Sequence, residues 1–246
     1  MRTSEDFETV QRLIAAGVND CEIFRRTGIP RPTVRDWRCR PPAKRGRPTA
    51  YAPCGIVHDF NDLPVKDYCY LLGLYLGDGC ISRMNRVWKL RISLDKKYPG
   101  IIDGCRRGIN AVMPRQDASV DWQPQGCAVV GLYSKHWPCL FPQHGPGLKH
   151  RRLIKLEPWQ ERLVDQAPED FIRGLIHSDG CRVIANDRGV KSIRYHFTNH
   201  SEDILGLFTG TLDQLCIPWT RSTKYVVSIY RKAATARLDE FIGPKC

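Results

Sequence analysis

Acidic residues are in short supply: Asp and Glu total 26 against 38 Lys and Arg, a formal charge of +12 over 246 residues. That imbalance favours a polyanionic partner, because neutralising a polyanion releases its condensed counterions. Long apolar runs are missing as well. The longest, Tyr68 to Leu76, is too short to cross a bilayer, so no membrane partner is expected. The first ten residues, MRTSEDFETV, lack the apolar core of a signal peptide, and the expectation is a cytoplasmic, nucleoid-associated protein. The 11 cysteines contain no C-x-x-C pair, which gives no sign of a zinc ribbon or a redox motif. An odd count in an unexported chain reads as free thiols, with Cys69, Cys80, Cys181 and Cys216 expected as small buried hydrophobes. The histidines have no HExxH spacing and no nucleophile-elbow serine accompanies them, so zinc-protease and serine-hydrolase chemistry find no support. Nothing in the pattern calls for a small-molecule cofactor.

What is present begins with three short helical segments. Residues 8–17 put Val10, Leu13 and Ile14 on one face and stop at Gly17. Asn19 caps a second helix with Ile23 and Phe24 expected inward and Gly28 as its stop. A third, RPTVRDWRCR, accepts Pro32 in its first turn and turns Val34 and Trp37 inward. A short helix, a glycine turn and an Arg- and Thr-rich helix resemble the helix-turn-helix units of resolvases and transposon-type proteins. The resemblance implies DNA contacts by Arg31, Thr33 and Arg35; a small bundle with a solvated basic face is the plain alternative. The stretch at 40–53 is too rich in Pro and charge to extend the helix. Within it, Arg45-Gly46-Arg47-Pro48 resembles an AT-hook core, which would lay Arg45 and Arg47 in a narrow minor groove. A solvated linker reads equally well.

The rest of the chain contains an internal repeat. Residues 71–79 read LLGLYLGDG and residues 172–180 read IRGLIHSDG. Each copy leads into a hairpin, a helix, two more strands, a short helix and a related tail, HGPGLK at 144–149 and IGPK at 242–245. The predicted architecture is α+β: two pseudo-symmetric α-β-β-α-β-β-α repeats behind a small all-α domain. The expected boundaries are a helix-turn-helix domain at 1–42, a basic linker at 43–62, and repeats at 63–161 and 162–246. In each repeat motif, Gly73 with Gly77 and Gly174 with Ser178 stand i, i+4, a spacing that lets two helix backbones touch. Two glycines within one helix cost roughly 1 kcal/mol each against alanine, so some contact must require them. Touching helices would bring Asp78 beside Asp179 at two C-termini, where the macrodipoles and mutual repulsion disfavour both charges. Divalent cations would relieve both penalties. Read singly, each Asp-Gly is an ordinary turn signal; two copies 101 residues apart on matching small-residue faces ask for more.

The element order and both motifs resemble the LAGLIDADG homing endonucleases. The resemblance implies a monomer that binds double-stranded DNA and hydrolyses a phosphodiester on each strand with Mg²⁺. It implies metal binding by Asp78 and Asp179 with the backbone at Gly77 and Ser178, and catalytic assistance by Lys149 and Lys245 in the matching tails. It also implies DNA binding on the free face of the strands, with Arg83, Lys89, Arg91, Arg182, Arg194, Arg221 and Lys224 as candidates. A transcription regulator that keeps the fold and has lost cleavage is the alternative. A transposase would need strand-borne acids that this repeat does not supply.

Overall fold

The amphipathic segments at the start fold as a three-helix unit in a computed structural model that describes residues 4–39, 54–56, 58–242 and 245, without the side chains of Ser4, Asp36 and Cys39. Arg45 and Arg47 lie outside the described residues. The chain divides into two units, Met1–Ala52 and Pro53–Cys246. In the first, α1 (Ser4–Ala15), α2 (Asp20–Thr27) and α3 (Arg31–Cys39) close around Val10, Ile23, Ile29, Val34 and Trp37. Asn19 Oδ1 accepts from Glu22 N, and Gly28 ends α2 in the left-handed region at φ 66°. Phe24 departs from expectation: it is 45% exposed. Ile23 takes the inward position in a helix of only 8 residues, which leaves room for one buried anchor per turn.

The second unit runs α4 (Val65–Asp78), β1 (Gly79–Arg83), β2 (Trp88–Asp95), α5 (Pro99–Val112), β3 (Ser119–Trp122), β4 (Cys127–Ser134) and α6 (Trp137–Leu140). It continues with α7 (Pro158–Gln166), α8 (Pro168–Asp179), β5 (Gly180–Asp187), β6 (Val190–Thr198), α9 (Glu202–Gln214), β7 (Thr220–Thr223), β8 (Val226–Ile229) and α10 (Lys232–Phe241). The α-β-β-α-β-β-α order therefore occurs twice, with α7 as an addition that the periodicity of 158–166 did not announce. Its start is locally encoded by a capping box between Glu157 and Gln160. The Gln160 amide then donates to the Tyr68 hydroxyl at 2.7 Å, which ties α7 to α4.

The two antiparallel sheets have matching orders, β1-β2-β4-β3 and β5-β6-β8-β7. Burial alternates along β2: Leu90, Ile92 and Leu94 are buried while Arg91 and Ser93 are exposed. The β5–β6 turn uses positive φ at both central residues, Arg188 (52°) and Gly189 (93°), the two-residue geometry that matches strand twist. One continuous core joins both repeats, with α4 and α8 at its centre. Among the described residues no helix is long and apolar enough to cross a membrane. The cysteine expectation holds only for Cys69; Cys80, Cys181 and Cys216 are exposed. Cys80 and Cys181 pair with Arg91 and His196, which places them on the solvent side of the sheets.

Candidate active site

Two helix ends build the site, and glycine is what lets them meet. A Cβ on Gly73 would lie 2.6 Å from the Phe171 carbonyl oxygen and 2.7 Å from Leu175 N, so α4 and α8 touch backbone to backbone. A Cβ on Gly174 would collide with the Tyr70 carbonyl and come within 3.0 Å of Gly73 Cα. One turn on, a Cβ on Gly77 would meet the Ser178 side chain and lie 3.1 Å from Asp179 Oδ2. The carboxylate of one motif thus rests against the residue that precedes the acid of the other. Each helix then turns sharply into a strand. Gly79 and Gly180 are extended at φ −88° and −106°, so positive φ is not their purpose. They are needed because a Cβ would strike Tyr75 Cα at 2.6 Å and Ile176 Cα at 2.8 Å.

The tail lysines complete the pseudo-symmetry. Lys149 Nζ donates to the carbonyls of Tyr75, Leu76 (3.0 Å) and Gly77 (2.8 Å) at the end of α4. Lys245 Nζ donates to the carbonyls of His177 (2.9 Å) and Ser178 (3.4 Å) at the end of α8. A cation here complements the negative end of each helix dipole and satisfies carbonyls that the helix leaves without partners. The sequence pairing HGPGLK with IGPK contains this symmetry, but not the capping itself.

The electrostatics are those of four charges forced together. Solvent reaches Asp78, which borders a cleft of 240 Å³ with Asp95, His177 and Lys245, and another of 280 Å³ with Lys149 and Arg152. Its crowded surroundings, and then the Asp179 charge, push its carboxyl up to about 6, with both lysines opposing. Burial likewise raises Asp179, opposed first by the hydrogen bond from Asn199 and then by the lysines. Burial pushes Lys149 down to about 8 and lowers Lys245, and both aspartates work against these shifts. Hard carboxylate oxygens held close and short of compensation suit a divalent cation such as Mg²⁺. The residues therefore fit a metal, with Asp78 and Asp179 as ligands. The Gly77 and Ser178 carbonyls, also expected as ligands, accept from Lys149 and Lys245 here, so any metal would share them with the ammoniums.

Residue-type reasoning missed two participants. Asn199, just past β6, donates from Nδ2 to Asp179 Oδ2 at 2.7 Å and orients that carboxylate. Among the described residues no side chain does this for Asp78. Tyr70 and His177 are hydrogen-bonded across the helix pair at 2.9 Å. Burial, then Lys245 and Arg173, push His177 down to about 4, so it stays neutral as an interface residue. Asn199 was recognisable only as one polar residue after a strand; Tyr70 sat in an apolar run.

The strand candidates divide by register, because directly paired residues share a face. Lys89 and Arg91 pair with Tyr133 and Gly131 on the side away from the core, and Arg194 shares that side of its sheet with Val183. Lys224 stands exposed beyond β7. Arg83, Arg182 and Arg221 are corrections to the free-face assignment. They pair with Trp88, Tyr195 and Val227 on the helix-packed side. Arg182 is held by Asp239 of α10 through two hydrogen bonds of 2.7 and 2.9 Å, and the Tyr195 hydroxyl donates to the same carboxylate at 2.6 Å. Arg221 donates to both carboxylate oxygens of Glu202 at 2.9 Å. Alternation within one strand cannot fix a neighbour's parity; the register between the two does.

The two faces should therefore respond differently to mutation. Arg182→Ala should cost about 1–2 kcal/mol by denaturant midpoint, since it strands a partly buried carboxylate. Arg91→Ala, on the exposed side of the sheet, should stay within about 0.5 kcal/mol in stability. The opposite ordering would reassign the faces.

No family model and no curated protein matches this chain. Among solved structures it is similar to I-DmoI in complex with DNA and Mn, with a TM-score of 0.49 at 15% identity over 73% of this chain and 97% of that one. The homing endonuclease I-WcaI bound to its DNA recognition sequence gives 0.47 at 13%, covering 74% and 83%. The LAGLIDADG meganuclease I-AabMI bound to uncleaved DNA gives 0.43 at 13%, covering 71% and 84%. The solved structures to which this chain is similar thus include homing endonucleases and LAGLIDADG meganucleases, at low sequence identity.

Proposed function

We propose that this chain is a site-specific DNA endonuclease of the homing type, which hydrolyses one phosphodiester on each strand with a divalent metal. One observation carries the reading: two aspartates on abutting helix ends, each end capped by a lysine from the equivalent tail. Structural economy does not account for this, since two carboxylates at touching helix C-termini oppose both dipoles and each other. In this reading Asp78 and Asp179 hold Mg²⁺, which supplies Lewis acidity and an activated water when bound. Asn199 fixes the orientation of Asp179. Lys149 and Lys245, already aimed at the cluster, counter the negative charge that grows on the phosphate oxygens. Lys89, Arg91, Arg194 and Lys224 contact the duplex from the strands. Because both half-sites lie in one chain, the protein acts as a monomer. The test is to incubate the purified chain with a DNA library and Mg²⁺ and to sequence any new ends. Recurrent ends at one sequence support the reading; tight binding without a nick under any divalent metal leaves a DNA-binding regulator.

The N-terminal unit adds affinity in this proposal. Arg31 and Arg35 are exposed on α3, with Thr33 half-buried between them. Arg38 is instead spent on Asp20 at 2.8 Å. Residues 31–50 hold seven basic residues and one acid. Removing residues 1–52 should weaken DNA binding and flatten its salt dependence, because fewer counterions are released. An unchanged slope of affinity against salt would show that this unit does not touch DNA.

A further inference from the structure

Away from the aspartates, folding gathers a second group of metal-binding side chains. Cys54 and His58 lie ahead of α4, Cys139 lies in α6, and His136 immediately precedes that helix. One ligand atom from each of Cys54, His58 and Cys139 lies within 4.8 Å of the other two. The Cys54 thiol is 2.9 Å from His58 Nε2. The His136 ring stands edge-on to His58 at 5.0 Å between centroids. Its Nδ1 is buried and has no hydrogen-bond partner among the described residues. A thiol–imidazole hydrogen bond would explain Cys54 and His58 alone. It explains neither the second thiol, Cys139, nor the idle imidazole nitrogen, and buried polar atoms without partners are rare.

We propose that Cys54, His58 and Cys139 hold a structural Zn²⁺, with His136 turning its ring to supply the fourth ligand. Two thiolates and two neutral imidazoles form a donor set that tetrahedral zinc favours. Zinc–ligand lengths place such donors roughly 3.3–3.8 Å apart, a spacing the cluster reaches by small side-chain adjustments. On binding, both thiols release their protons to solvent, and the two thiolates balance the ion's charge. The spacings, Cys54-x₃-His58 and His136-x₂-Cys139, join segments about 80 residues apart and contain no C-x-x-C pair, so the sequence did not announce a site. The ion would pin Cys54 and His58 to α6, at the start of the second unit. Magnesium does not suit these ligands, and zinc here is distinct from any metal at Asp78 and Asp179.

The test uses the full chain, purified under reducing conditions and dialysed against metal-free buffer, with zinc measured by elemental mass spectrometry. We expect stoichiometric zinc. Exchange for Co²⁺ should give the visible and thiolate-to-cobalt bands of tetrahedral coordination. C54S, at a half-buried position that tolerates serine, and C139S should each weaken metal binding roughly tenfold or more, with H136A weakening it less. C80S and Asp78→Asn, outside the cluster, should keep the zinc. Reduced chain without stoichiometric zinc and without cobalt bands overturns the proposal, as does a Cys54–Cys139 disulfide in the isolated protein.

Discussion

Gly174→Ala should destabilise the second unit by about 2–4 kcal/mol, although alanine is the better helix former by about 1 kcal/mol. The new methyl would meet backbone, the Tyr70 carbonyl and Gly73 Cα, rather than a side chain that could rotate away. The only relief is to separate α4 from α8, which opens a core shared by both repeats. Gly73→Ala should behave alike, since its Cβ meets the Phe171 carbonyl at 2.6 Å. Gly206→Ala is the internal control. It lies in α9, where a Cβ would have nothing within 4 Å, so the same substitution should stabilise by about 0.5–1 kcal/mol. Gly77→Ala is intermediate in kind, because its obstacle is the Ser178 side chain. Adding Ser178→Gly should restore much of the loss, a coupling that a double-mutant cycle reads directly. Denaturant midpoints of these variants give the signs. Gly174→Ala as stable as the parent would mean that the helices are not in backbone contact.

The repeat was legible because it is written twice in residue types with few other uses. Paired small residues, Asp-Gly at two helix ends and related tails fix the element order and the meeting of Asp78 with Asp179. The strand faces were legible where a strand is long: β2 and β6 alternate clearly, and Lys89, Arg91 and Arg194 fall outside as read. The edge strands misled, since Arg83, Arg182 and Arg221 take their side from Trp88, Tyr195 and Val227 across the ladder. Lys149 and Lys245 were found by position in the repeat, yet their hydrogen bonds to helix-end carbonyls are a tertiary fact with no local signature. The role of Asn199 and the meeting of Cys54 and His58 with Cys139 share that character, whereas α7 carried a local signal in its Glu157–Gln160 capping box. Each depends on what folding brings beside it, and periodicity within one segment does not record that.

Asp78→Asn and Asp179→Asn should each abolish double-strand cleavage while DNA affinity stays equal or rises. Cutting and binding rest on different physics and can be separated. Amide for carboxylate keeps size and most hydrogen-bonding capacity, so Asn199 can still reach residue 179 and the Gly77–Ser178 contact is undisturbed. What goes is a charge that, in the proposed reading, would hold the divalent metal and is unwelcome near phosphate. Stability in metal-free buffer should be equal or higher, because each aspartate faces the other and the negative end of a helix. Chelating the metal from the wild type should reproduce the loss of cutting and spare binding. Ca²⁺ should support binding with poor cutting, since its looser coordination positions an attacking water less well. Lys149→Ala should slow cutting, and it should also cost some stability through the α4 carbonyls it caps, an effect absent from the aspartate variants. The measurement is cleavage and affinity on one bound sequence, with thermal melts run alongside. If either aspartate variant still cuts both strands at the parental rate, the paired carboxylates are not the reaction centre. If both lose affinity together with cutting, they serve binding instead, and the regulator reading takes precedence.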